Sequence, residues 1–301
     1  MKTNQFLFGL KNLDRGQTMK VAIFANDDMT SNIIFAQLFN MSDIQITGLY
    51  IAASPRKGTS SIIGGAISLL RRMAFGYWLF LVFTNGAFKV YEFLTLVFRC
   101  SPQTGTFYSL RRAAQLRGVR YRKVADFSSP EIAAELQNSN VDLLIIRVGD
   151  ILQPKILDIP HYGTWCVHSS LLPSFKGIAG EFHALRTKRA PIGSTVFEVT
   201  PSLDEGTPLG QVAIQRDETG SVFQHMVNNN IAAGKLLASM VLQAFQCSAP
   251  SFELYTPQSQ LKSSYHSWPK PDELKVLHRQ RKALITPGEA MRLMLAAFRW
   301  G

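Results

Sequence analysis

Cysteine is scarce in this 301-residue chain: Cys100, Cys166 and Cys247 stand far apart. They form neither a zinc-ligand spacing nor a disulfide framework, which points to a reducing compartment, the cytoplasm. Charge is also sparse, at 18% Asp, Glu, Lys and Arg, but 46% of residues are hydrophobic, so a disordered chain is excluded. No GxGxxG follows the first apolar run, which argues against a nicotinamide or flavin dinucleotide. The first 18 residues hold only Phe6-Leu7-Phe8 as an apolar patch, too short for a signal peptide. They read as a loose, disordered extension or an upstream start. Acidic residues are outnumbered, 21 against 32 Lys and Arg, and the formal charge of +11 favours anionic partners.

What is present reads as alternating strands and helices. A first strand starts at Met19, and Val21 to Phe24 is a short apolar run ended by Asn26-Asp27-Asp28, a turn with a helix cap. Ser31 to Phe39 has helical apolar spacing, and Ile44 to Ile51 reads as a second strand. This β-α-β opening predicts an α/β fold: an open, mostly parallel, Rossmann-like sheet with helices on both faces. Ser109 to Gly118 is a basic helix closed by a glycine, and Val119 to Val124 a strand. Ser129-Pro130-Glu131 is a strong helix start, and Val141 to Ile146 a buried central strand. Val222 to Phe245 predicts a long helix, with Asn228-Asn229-Asn230 as its solvated face.

Residues 62–98 interrupt this pattern with a very apolar stretch. Between Arg72 and Lys89 the run falls short of the ~20 residues that span a bilayer, and Asn85-Gly86 weakens it further. The readings are a buried helical insertion, a hairpin on a membrane surface, or a spanning helix; packing on the sheet domain or a membrane-surface contact is expected over a span. Residues 19–245 then form the main domain, and 246–301 a short C-terminal tail.

The chemistry concentrates in one segment. Cys166-Val167-His168-Ser169-Ser170-Leu171-Leu172-Pro173 carries a strand into a loop that reaches Lys176-Gly177, and Leu203-Asp204-Glu205-Gly206 follows. In an open α/β sheet, ligands sit beyond the carboxyl ends of the strands, where His168 ends one and Asp204 on a later loop can orient it. Taken singly, such a His is more often structural and such an Asp a turn residue.

Together these residues resemble the signature of the folate-dependent formyltransferases, over roughly Met19 to Phe245 without the apolar insertion. The resemblance implies 10-formyltetrahydrofolate as formyl donor, His168 as general acid/base and Asp204 as its orienter. It implies that the loop Val148-Gly149-Asp150-Ile151-Leu152 forms the folate pocket, with Ile151 and Leu152 flanking the pterin; the alternative is that both are core residues. Lys176 replaces the Arg common before the loop glycine, Gly177, and the pair is expected to touch substrate. The position of the family's oxyanion-binding Asn holds Cys166, whose thiol cannot present an amide N–H. Cys166 then marks a slow or inactive member, or another donor fills the gap, or the thiol is itself a nucleophile.

The layout resembles the sugar-nucleotide formyltransferases, so the expected acceptor is a small-molecule amine, an amino sugar on a nucleotide. The short tail argues against tRNA, and the rival reading is a non-catalytic homologue acting as a binding or assembly protein. No metal is implied, because His161, His168 and His183 lack acidic or thiol companions in the sequence.

Overall fold

A computed structural model describes residues 18–53, 64, 68–200, 206–246 and 263–298. The expected β-α-β opening is present: strand β1 (Met19–Ala25), helix α1 (Met29–Phe39) and strand β2 (Ile44–Ala52). Asp28 caps α1, its Oδ1 accepting from the Ser31 N–H at 2.7 Å. Downstream, helix α2 (Phe75–Val97) precedes the short strands β3 (Gln103–Thr104) and β4 (Phe107–Tyr108). Helix α3 (Leu110–Arg117) ends at Gly118 in the left-handed conformation, φ 65°. Strand β5 (Arg120–Val124) leads to helix α4 (Pro130–Asn138), capped by Ser129 with Pro130 in its first turn, as predicted. Strand β6 (Leu143–Arg147), helix α5 (Pro154–Leu157) and strand β7 (Thr164–His168) complete the parallel part.

The seven-stranded sheet has the order β10-β9-β7-β6-β1-β2-β5, where β9 is Ile192–Glu198 and β10 is Pro208–Ile214. Strands β7, β6, β1, β2 and β5 are parallel, while β9 runs antiparallel to β7 and β10 antiparallel to β9. Chain order departs in both directions from β1, which pairs with β2 on one side and β6 on the other. That switch opens a crevice at the carboxyl ends of β1, β6 and β7.

Both faces of the sheet are covered. One side packs Phe35, Leu38, Trp165, Leu237 and Met240 into a single cluster, using α1 and the long helix α7 (Val222–Gln246). A Cβ on Gly234 of α7 would meet the Ile34 carbonyl, so this glycine lets the two helices approach closely. The other side buries Phe24, Tyr50, Phe127, Leu152 and Ile156.

A third cluster joins α2 to the tail: Tyr77, Phe80 and Phe88 pack with Phe182, Leu277 and Leu293. Full burial of such side chains contributes about 1.5–3 kcal/mol each. The tail supplies strand β11 (Tyr265–His266) and helices α8 (Pro271–Arg279) and α9 (Pro287–Phe298), and α9 packs along α2. The expected break at Asn85-Gly86 does not occur. α2 runs unbroken for 23 residues because Asn85 is bonded twice: its Nδ2 donates to the Leu81 carbonyl at 3.0 Å, and its Oδ1 accepts from the Met29 N–H at 3.2 Å. By length and composition α2 is apolar enough to cross a membrane, yet Tyr77, Phe80, Phe88 and Tyr91 are buried against the domain. Its outer side exposes Phe75, Leu79, Val82, Val90, Phe93 and Val97.

Candidate active site

Three strand ends meet at the crevice. β1 hands over to Asn26, whose N–H donates to the Arg147 carbonyl at 3.0 Å, and β6 ends on Arg147 itself. β7 ends on His168. Strand alternation places Cys166 and His168 on the same side of the sheet, with Trp165 and Val167 in the opposite core. Cys166 is half-buried and packs against the cluster that holds Ile146, Leu152 and Val199.

The loop after His168 is fixed by buried hydrogen bonds. Thr195 on β9 donates its hydroxyl to the Ser170 carbonyl at 2.7 Å and accepts from the Leu172 N–H at 3.0 Å. Gln211 on β10 donates to the Leu172 carbonyl at 2.8 Å. The loop turns so that the Phe175 carbonyl lies 3.3 Å from His168 Nε2. A ring nitrogen that donates to this carbonyl helps to orient the imidazole.

Lys176 and Gly177 form strand β8, which pairs in parallel with β11 of the tail. Gly177 has φ 94°, and a Cβ there would collide with the His266 carbonyl, so the loop glycine is needed for packing the tail. Of the loop after β6, Ile151 is 63% exposed and Leu152 only 3% exposed. The two therefore separate, Leu152 into the core and Ile151 outward at the crevice edge. Gly149 is exposed with open space around it, and Asp150 is half-buried. Asp204 lies outside the described residues, between Thr200 and Gly206. The structure thus brings Cys166, His168, the loop 148–152 and the Lys176-Gly177 strand to one edge of the sheet.

A buried polar group beside this edge escaped the sequence reading. Asn228 is exposed as expected, but Asn229 and Asn230 are fully buried and not part of a solvated face. Asn229 donates to Glu181 Oε1 at 3.0 Å and accepts from the Ser194 hydroxyl at 3.0 Å. Arg147 Nη2 donates to Ser169 Oγ at 3.2 Å and reaches Asn230 Oδ1 at 3.5 Å. The available signal was three amides inside an otherwise apolar helix, since polar groups buried there need partners. Desolvation holds the Glu181 carboxyl above the usual range, against the opposing pull of Asn229 and Arg147. A raised carboxyl gives stability that is lost as pH rises from about 4.5 through the folded pKa. Glu181→Gln removes this titration. Its melting temperature minus that of the wild type should therefore grow from pH 5 to pH 9, and a constant difference would show that Glu181 does not titrate in this range.

The expectation that His183 lacks an acidic companion is corrected. His183 does have an acidic companion, Glu273, whose Oε1 lies 3.8 Å from its Nδ1. Their separation of 90 positions hid the pairing, which the docked tail creates. A separate cavity of about 630 Å³ lies between α2 and residues 278–290, and none of the crevice residues lines it.

The formyl transferase family model matches residues 106–244. Methionyl-tRNA formyltransferase of Phenylobacterium zucineum is 27% identical over 166 residues, covering 54% of this chain and 52% of that one. The Geobacillus thermodenitrificans enzyme of the same name is 28% identical, covering 53% and 52%. The chain thus spans about half the length of these curated relatives. Phosphoribosylglycinamide formyltransferase of Anaplasma phagocytophilum shares the fold with a TM-score of 0.50 and 17% identity, covering 81% of this chain and 97% of its own. A formyltetrahydrofolate deformylase of Pseudomonas syringae has a TM-score of 0.51 and 16% identity, covering 77% and 62%.

The expectation that tRNA is an improbable partner is corrected by the first two relatives, which carry tRNA in their names. It rested on the length of the tail, whereas the likeness lies in the transferase domain itself. The matched segment, the mostly parallel sheet and the His168 loop agree: residues 106–244 are similar to the formyl transferase domain.

Proposed function

We propose that this protein moves a formyl group from 10-formyltetrahydrofolate to an amine in the cytoplasm. The observation that carries the reading is His168, at the carboxyl end of β7 and oriented by the Phe175 carbonyl inside a formyl transferase domain. The crevice suits a flat heterocycle: the exposed Gly149 leaves the backbone of the loop 148–152 approachable, and Ile151 offers an apolar surface beside it. When bound, the folate supplies the formyl carbon. His168 takes a proton from the attacking amine and returns one to the departing nitrogen, and Asp204 orients the ring. Cys166 stands at the position of the oxyanion donor. Lys176 faces the acceptor side as a point charge rather than a bidentate fork.

The acceptor we favour is an amino sugar carried on a nucleotide. A second reading, an aminoacylated tRNA, is favoured by the names of the curated relatives and by the net charge of +11. Calorimetry with a non-reactive reduced-folate analogue should show saturable binding that weakens on Ile151→Asp. Absence of binding at millimolar ligand would remove the donor assignment. Formyl-transfer assays on nucleotide-linked amino sugars and on methionyl-tRNA then separate the two acceptors.

A further inference from the structure

Where the tail docks on the transferase domain, three side chains converge that no step of formyl transfer uses. His183 lies on helix α6 (Gly180–Arg186), His266 on β11, and Glu273 in the first turn of α8. One potential ligand atom from each lies within 4.8 Å of the other two. Ligands of a tetrahedral zinc ion, at bond lengths near 2.0–2.1 Å, stand about 3.3 Å apart, so small side-chain adjustments close this set on a metal.

Hydrogen bonds around the cluster hold its three side chains in place. His183 is 1% exposed. Its Nε2 meets the Ser267 carbonyl at 3.0 Å, and a carbonyl can only accept, so Nε2 carries the ring proton. Nδ1 therefore presents a lone pair, and it is buried without a hydrogen-bond partner among the described residues. Facing it at 3.8 Å is Glu273 Oε1, also electron-rich. Glu273 is fixed from behind, because its Oε2 accepts from the Lys270 N–H at 2.9 Å in a capping box. His266 is held by Ser264 Oγ, 3.2 Å from its Nε2. Each candidate ligand thus has an outer partner of the kind that orients metal ligands.

A cation beside these two electron-rich atoms, 3.8 Å apart, would satisfy both. Arg186 supplies one, with Nη2 3.2 Å from Glu273 Oε1, but its buried Nε has no hydrogen-bond partner among the described residues. The guanidinium therefore satisfies the carboxylate and leaves His183 Nδ1 unanswered. The rings of His183 and His266 stack at 4.3 Å, so His266 must turn to bring a nitrogen into the same coordination sphere.

We propose that His183, His266 and Glu273 form a binding site for a borderline divalent metal, Zn²⁺ in preference to Mg²⁺ or Ca²⁺, with Arg186 as the competing resident cation. Two imidazoles and one carboxylate match the three-ligand zinc set that keeps a fourth position open. The metal would tie the tail, through His266 and Glu273, to the helix that follows the Lys176-Gly177 strand.

The test uses the full chain, free of any affinity tag and stripped with chelator. Titration with ZnCl₂ by calorimetry should show one saturable equivalent, and Co²⁺ should give the visible bands of a tetrahedral nitrogen–oxygen site. Glu273→Gln keeps the capping bond and removes the anionic ligand; His266→Ala alters a half-exposed edge residue. Each should weaken zinc by more than the roughly 10–100-fold that an outer-partner change costs. Arg186→Ala should tighten binding by removing the competitor. Circular dichroism checks that the variants are folded. Absence of one-to-one binding, or binding unchanged in folded Glu273→Gln and His266→Ala, overturns the proposal.

Discussion

Cys166→Asn is expected to raise formyl transfer by about a hundred-fold or more. A single oxyanion donor contributes about 2.7–4 kcal/mol in acyl-transfer sites, and a thiol supplies little of that. Cys166 shares its side of the sheet with His168, so an amide placed there points toward the same edge. Its surroundings set the risk, since Ile146, Leu152 and Val199 form the apolar cluster against which it packs. Overpacking such a site costs about 1–3 kcal/mol, so the variant's folate affinity and melting temperature are measured beside its rate. An unchanged rate with wild-type folate affinity means that another donor already holds the oxyanion. Loss of transfer in both Cys166→Asn and Cys166→Ala, with a formyl adduct on the wild-type thiol in mass spectrometry, identifies a nucleophile instead.

His168→Ala is expected to lower transfer by roughly 10²–10⁴-fold, the usual contribution of a positioned general acid/base. The fold should survive. His168 is half-buried, and the loop beside it is held mainly by Thr195 and Gln211. Asp204→Ala should fall in the same direction. Single-turnover rates at saturating folate separate this effect from weakened binding, and the ascending limb of the pH–rate profile should vanish in His168→Ala. Near-wild-type turnover in either variant means that these positions do not carry the proton transfer.

Much of the fold was legible because its determinants are local. Asp28, Ser129 and Gly118 mark helix ends through bonds to residues three or four positions away, and the buried strands read as apolar runs. The site was legible as far as one continuous segment carried it, from Cys166 to Gly177. What stayed hidden depends on partners far along the chain. Asn85 looked like a helix breaker until the Met29 N–H, 56 residues away, occupied its amide oxygen. Asn229 looked solvated, yet Glu181 and Ser194 meet it in the interior. The two-residue strands β8 and β11 have no periodicity to detect; their pairing comes from the docked tail.

The packing of α9 on α2 carries a consequence for synthesis in the cell. Some 190 residues separate Val97 from Pro287, so α2 leaves the ribosome roughly 10–40 s before its covering helix at about 5–20 residues per second. During that interval Phe80 and its neighbours lack Leu293 and Ala297, and the outward side with Phe75, Phe93 and Val97 is already apolar. The nascent chain therefore displays a 23-residue greasy helix just when the sheet that must receive it is still being made. Chaperone dependence during translation, relieved once the last helix emerges, is the cost of building this fold with its cover at the end.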